Sequence, residues 1–283
     1  MPPRPEVRLV AGDIELVIDL EAGARATRWT VGGLSLLTGN GTDPVEYGMY
    51  PMAPWAGRLR GNATTVDGVS REFPVTYSEW ALHGTALAQT ADIIELVTEP
   101  DRSMLIARIA DHPGWPWPIE VEIVWEVRAG CVRTEIHVAA TDHVVPVVVG
   151  WHPWFRRQLT RGEPMEWSLS ATGMAERGSD YLPTGRLLDY DETSGPFDDA
   201  FFVPTGQAHL RWPGALVMDI HNDSDWFVVF DQLPNAVCIE PQSGPPNGLN
   251  EGITGPVRIA EPGQAHSMVT TWTVAHDLPL DPS

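Results

Sequence analysis

Glycine and proline, 26 of each in 283 residues, recur so often that no segment sustains a helical period over three or four turns. What lies between them alternates with period two. In residues 119–127, Ile119, Val121, Ile123, Trp125 and Val127 alternate with Glu120, Glu122, Val124 and Glu126, giving one buried face and one wet face. Ala129-Gly130 turns this strand into residues 131–138, where Val132, Thr134, Ile136 and Val138 take the buried positions. Hairpins are expected over 7–20, 24–37 and 64–73, turning at Gly12-Asp13, Gly32-Gly33 and Asp67-Gly68. Further strands are expected over 93–97, 104–109, 144–150, 166–171, 215–221, 226–230 and 267–274. Short strands with no helices between them predict an all-β chain, a large antiparallel β-sandwich. Neither a linker nor an internal repeat divides it, so a single domain over 1–283 is expected.

Composition narrows the chemistry. No apolar run reaches 18 residues, and the first ten residues lack the apolar core of a signal peptide. Two cysteines, Cys131 and Cys238, make no disulfide framework and point to the cytoplasm. The net charge of -20 repels phosphate backbones and anionic bilayers, so neither nucleic acid nor membrane is an expected partner, and a neutral small molecule suits the chain better. All 18 basic residues are arginine. The absence of lysine excludes a Schiff-base lysine, a pyridoxal-phosphate internal aldimine and a P-loop. There is no HExxH, no paired-cysteine spacing, no GxSxG and no GxGxxG, so no metal site is expected.

Polar clusters interrupt the strands. In AVCIEPQSGPPNGLN, residues 236–250, an apolar run delivers Glu240 and is expected to stop at Pro241, with Gln242 able to donate and accept toward a polyhydroxy ligand. In VVPVVVGWHPWF, residues 144–155, an apolar strand is expected to end at Gly150 and present His152 between Trp151 and Trp154. Arg58 lies in the proline-interrupted YPMAPWAGRLRGN, and its guanidinium fork suits two adjacent hydroxyls. His83 precedes a glycine turn in WALHG. Asp198 and Asp199 lie in GPFDDAFF, where alternation lets one of the two enter a cleft. Trp55, Trp151 and Trp154 sit beside these clusters, where an indole face can pack on the C–H face of a sugar.

Together, and in this chain order, PWAGRL, LHG, GWHPWF, FDDAF and IEPQSGPPNGLN resemble the aldose 1-epimerase (galactose mutarotase) family. The resemblance implies a β-supersandwich, no cofactor, and interconversion of the α and β anomers of a free sugar. Carried onto this chain, it makes Glu240 the general base, working ionised, and His152 the general acid, working protonated. Arg58, His83 and Asp198 would bind hydroxyls, with Gln242 and Trp154 beside them. Asp198 rather than Asp199 fits the family's Asp-x-x-Phe spacing, although the doublet leaves both open. Gly57 stands where the family often has asparagine before the arginine. The expected partner is a small sugar, the expected assembly a monomer or homodimer. The residues also allow a non-catalytic carbohydrate-binding protein, a glycosidase using Asp198 and Glu240, or a metal-dependent isomerase.

Overall fold

Three hairpins form where the turn residues demand them. Glu6–Ala11 pairs with Ile14–Asp19 around Gly12-Asp13, Arg25–Val31 with Leu34–Ser35 around Gly32-Gly33, and Ala63–Val66 with Val69–Glu72 around Asp67-Gly68. At the second and third turns both central residues have positive φ, as a type I′ turn requires. The computed structural model describes residues 6–39, 41, 43–190 and 195–277. Among them the only helical pieces are three-residue 3₁₀ turns, Leu20–Ala22, Arg60–Asn62 and Ala86–Ala88. None is long and apolar enough to cross a membrane.

The described strands assemble into a twelve-stranded and an eight-stranded sheet with two small ribbons, and neighbouring strands pair antiparallel. The expected alternation holds in the smaller sheet. Along Ile119–Arg128 and Cys131–Ala140 the odd and even faces sort into buried and wetter positions, in continuous register from Ile119↔Ala140 to Arg128↔Cys131. The two sheets pack through large aromatics. Trp29 meets Trp272 edge-on at 5.8 Å, and Trp125 meets Trp151 at 4.7 Å. Two of the four indole N–H groups are hydrogen-bonded, Trp125 donating to the Ala24 carbonyl and Trp272 to Thr134 Oγ1, while those of Trp29 and Trp151 are buried without a partner.

Proline does not end the strands here, contrary to the expected boundaries. Ala236–Gln242 does not stop at Glu240; it runs through Pro241, which pairs with Phe227 while Trp226 pairs with Gln242. Gly150–Pro153 is itself a strand, so His152 sits within one rather than beyond its end, and Met49–Met52 carries Pro51. Proline's fixed φ is compatible with extended backbone, and only one ladder bond is lost. Conversely, 144–150 is not one strand. Val145–Pro146 pairs with Ile259–Ala260, and the next three residues send their N–H groups elsewhere, Val147 to the Arg258 carbonyl, Val148 to the Pro54 carbonyl and Val149 to Ser243 Oγ. Gly173–Arg177, Pro183–Leu188, Asp198–Phe202 and Gln207–Trp212 are strands that the sequence pattern did not show.

Candidate active site

Register places the polar side chains in one row. Gly150 pairs with Gln242 and Phe155 with Val237, in the same register on both sides, so His152 stands opposite Glu240. His152 in turn pairs with Tyr50, Glu240 with Val228, and Val228 with Ala200. Alternation fixes the direction. Trp151 points into the aromatic layer between the sheets, so His152 projects from the opposite face of the twelve-stranded sheet. There a cavity of about 550 Å³ opens. Its floor is low because the row continues from His152 and Glu240 into the short side chains Val228, Ala200 and Ala175.

His152 Nε2 lies 3.2 Å from Glu240 Oε1, and both residues are buried. Glu240 Oε2 accepts from Gln242 Nε2 at 3.1 Å, while Gln242 Oε1 is buried without a partner. The imidazole is held flat, stacked on Tyr50 at 4.8 Å and on Trp154 at 5.3 Å, with His83 edge-on at 4.9 Å. Burial, with a contribution from Asp198, lifts the Glu240 carboxyl well above the usual carboxylate range. Burial and the Arg25 guanidinium lower His152 to about 3. Both shifts favour the uncharged forms of the two groups.

His83 has positive φ and leads into Gly84 at φ 78°. The Gly57 N–H donates to His83 Nδ1 at 3.2 Å, which leaves the ring proton on Nε2. Burial first, then the neighbouring His152 and Arg58, hold His83 well below the usual imidazole range, so it is a neutral donor. Arg58 Nη2 donates to Asp198 Oδ2 at 3.2 Å, and its buried Nε has no partner. Arg177 completes this wall. Its Nη1 donates to the Asp198 carbonyl at 2.8 Å and lies 3.3 Å from Asp198 Oδ2, and its Nε is 3.2 Å from Asp199 Oδ1. Asp198 and Asp199 both border the cavity, against the expectation that only one would, because Arg177 draws the Asp199 carboxylate around to its own side.

All seven residues singled out from the sequence, Arg58, His83, His152, Trp154, Asp198, Glu240 and Gln242, border this one cavity. Trp55 and Trp151 do not. Trp55 stacks on Phe73 and donates to the Ala81 carbonyl, and Trp151 packs on Trp125. Sequence reasoning missed Arg177 and Tyr181, whose ring lies 5.6 Å from the Arg58 guanidinium and 5.4 Å from that of Arg177. No local signal marks Arg177 among the 18 arginines of so acidic a chain. It also missed Cys238, which alternation puts on the same strand face as Glu240. Donor atoms of His152, Cys238 and Glu240 lie within 4.8 Å of one another, a set that could hold a metal ion.

A histidine–glutamate pair and a polar wall surround an open cavity on a large antiparallel sandwich. The sequence is matched by the aldose 1-epimerase family over residues 7–270, and the chain belongs to that family. It is 23% identical over 286 residues to the Escherichia coli (strain K12) protein YihR, itself uncharacterised, covering 93% of this chain and 91% of that one. Its fold is similar to a galactose mutarotase-like protein from Clostridium acetobutylicum, with a TM-score of 0.83 and 15% identity over 95% of this chain and 94% of that one. A galactose 1-epimerase from Lactobacillus acidophilus NCFM superposes with a TM-score of 0.78 and 12% identity, covering 96% and 94% of the two chains. The fold is thus galactose mutarotase-like, as the resemblance implied.

Proposed function

We propose that this protein is an aldose 1-epimerase in activity, interconverting the α and β anomers of a free, neutral aldose by acid–base ring opening and closure. The observation that carries the proposal is the His152–Glu240 pair, side by side at 3.2 Å on the cavity floor. Mutarotation takes a proton from O1 while giving one to the ring oxygen. Both oxygens are bonded to C1, so acid and base have to be neighbours and not face each other across the sugar. The neutral pair and the ion pair differ by one proton moved between His152 and Glu240. With the ion pair formed, Glu240 accepts the O1 proton and His152 protonates the ring oxygen. The ring opens to the aldehyde, C1–C2 rotates, and closure on the other face reverses both transfers.

The surrounding residues suit the hydroxyls. Neutral His83 donates through Nε2, the unpartnered Arg58 Nε is a further donor, and Asp198 is an acceptor held by two guanidiniums. Gln242 Oε1 is one more acceptor. Trp154, though buried, borders the cavity with its indole. The chain's two cysteines are unpaired, which suits a reducing cytoplasm.

Saturation-transfer NMR on galactose or glucose, with and without a chelator, tests the proposal. Exchange between anomers that persists in chelator and exceeds the buffer rate is expected. Binding without exchange would favour a carbohydrate-binding protein, cleavage of a glycoside would favour the glycosidase reading, and exchange lost on chelation a metal-dependent isomerase.

A further inference from the structure

A thiol sits beside the proton-carrying pair, and the proposed chemistry has no use for it. Cys238 is fully buried, two residues before Glu240 on the same strand, so its Sγ shares a face with the Glu240 carboxyl. In the Gly150–Gln242 and Phe155–Val237 register, His152 arrives from the neighbouring strand opposite Glu240. The result is one thiol, one imidazole and one carboxyl, each offering an atom within 4.8 Å of the other two. His152 and Glu240 border the cavity while Cys238 does not, so an ion held by all three would reach the cavity on the side of the first two.

We propose that His152, Cys238 and Glu240 form a binding site for a soft divalent cation of the zinc class, and that the bound ion competes with the sugar and arrests the enzyme. Three protein ligands and one open position are the arrangement in which zinc is held in reactive sites, and thiolate with imidazole selects zinc-like ions over magnesium or calcium. The charge count suits a buried location. A thiolate, a carboxylate and a neutral imidazole bring two negative charges to a doubly positive ion, so the filled site is neutral. The protons of the thiol and the carboxyl leave to solvent as the ion enters. The ligands are also braced: Gln242 Nε2 holds the second carboxylate oxygen, and Tyr50 and Trp154 fix the imidazole plane. Other His–carboxylate contacts in the molecule are of a different kind. His209–Asp219 and His276–Asp13 are two-residue surface pairs, and exposed His143 lies between Asp67 and Asp142, none of them with a thiol in the contact.

Inhibition rests on the mutarotase reading, but binding does not, and the two are measured separately. Cadmium serves as the probe because its bond to a thiolate gives an ultraviolet charge-transfer band. Titrating full-length protein with cadmium should give that band at one ion per chain. The band should be lost in Cys238→Ala and Cys238→Val, with folding checked by circular dichroism, and kept in Cys131→Ser, the half-exposed control thiol. Losing a ligand should weaken binding by more than the roughly 10–100-fold that follows loss of an outer partner. In the exchange assay, zinc or cadmium should slow wild type at least tenfold, an effect relieved by chelator and absent in Cys238→Ala. Magnesium and calcium should do nothing. No band in wild type, a band that survives in folded Cys238→Ala, or exchange that requires the added ion would each overturn the proposal. If no aldose shows exchange at all, the mutarotase reading fails while the band still decides the metal site.

Discussion

Replacing Glu240 by glutamine isolates proton transfer from everything else the site does. In the wild type one carboxyl oxygen accepts from Gln242 Nε2 at 3.1 Å and the other lies 3.2 Å from His152 Nε2. A glutamine of the same shape can keep its carbonyl toward Gln242 and turn its amide N–H₂ toward the neutral imidazole. No further buried group loses its partner, so the usual penalty of about 1–3 kcal/mol for a newly orphaned polar atom does not arise. The carboxyl removed is one that burial penalises, so the melting temperature should hold or rise. Sugar affinity should change little, because Arg58, His83 and Asp198 are untouched. What is lost is the ability to carry a proton, expected to lower kcat by about 10²–10⁴-fold, or roughly 3–5 kcal/mol of barrier. His152→Asn should act likewise. Since both groups serve one ring-opening event, the double variant should lose far less than the product of the single losses. The assay is saturation-transfer NMR of anomer exchange, with affinity by calorimetry. Near wild-type exchange in Glu240→Gln would refute the assignment, and lost affinity with unchanged turnover would move Glu240 from catalysis to binding.

Ala200→Leu should fill the cavity floor and weaken sugar binding about tenfold or more, near the 1–3 kcal/mol of overpacking, with the melting temperature nearly unchanged. Gly84→Ala should destabilise by about 3 kcal/mol or more in urea unfolding, because φ is 78° and the new Cβ would lie 2.1 Å from the Ala53 carbonyl oxygen; Gly33→Ala, also at positive φ but in open space, should cost only about 1 kcal/mol. His266 is depressed to about 4, chiefly by burial, so the unfolded chain binds its proton more readily and stability falls as pH drops from 6.5 toward 4. The loss is at most about 3 kcal/mol, and His266→Gln should flatten that part of the stability–pH curve. Neutral aldoses should outperform their 6-phosphates in kcat/KM, because Arg58 and Arg177 are already engaged by Asp198 and Asp199; an equal or better phosphate would show those arginines to be free for the substrate.

The fold was legible where chemistry forces the local conformation. Gly33 and Gly68 mark type I′ turns, and the alternation from Ile119 to Arg128 declares which face is dry. It is illegible where proline suggests a strand end, since Pro51, Pro153 and Pro241 all belong to strands of the larger sheet. Of the site, the residues in distinctive local settings could be found, such as a histidine between tryptophans or a glutamate ahead of a proline-rich loop. Arg177 could not, because its meaning comes from pairing with a doublet more than twenty residues away. Nor could the state of Glu240 and His152, which depends on burial by neighbours from distant parts of the chain.

Because the row from Tyr50 through His152, Glu240 and Val228 to Ala200 is set by strand parity, chain length matters here more than side-chain identity. One residue gained or lost within Ala236–Gln242 would turn Glu240 toward the aromatic layer and present Ile239 or Pro241 to the cavity. Two would restore the face but carry the carboxyl about 7 Å along the strand, out of reach of His152. Insertions and deletions in descendants of this chain should therefore collect at surface turns such as Gly12-Asp13 and Asp67-Gly68. The strands bearing the row can change their residues, but they cannot change their count.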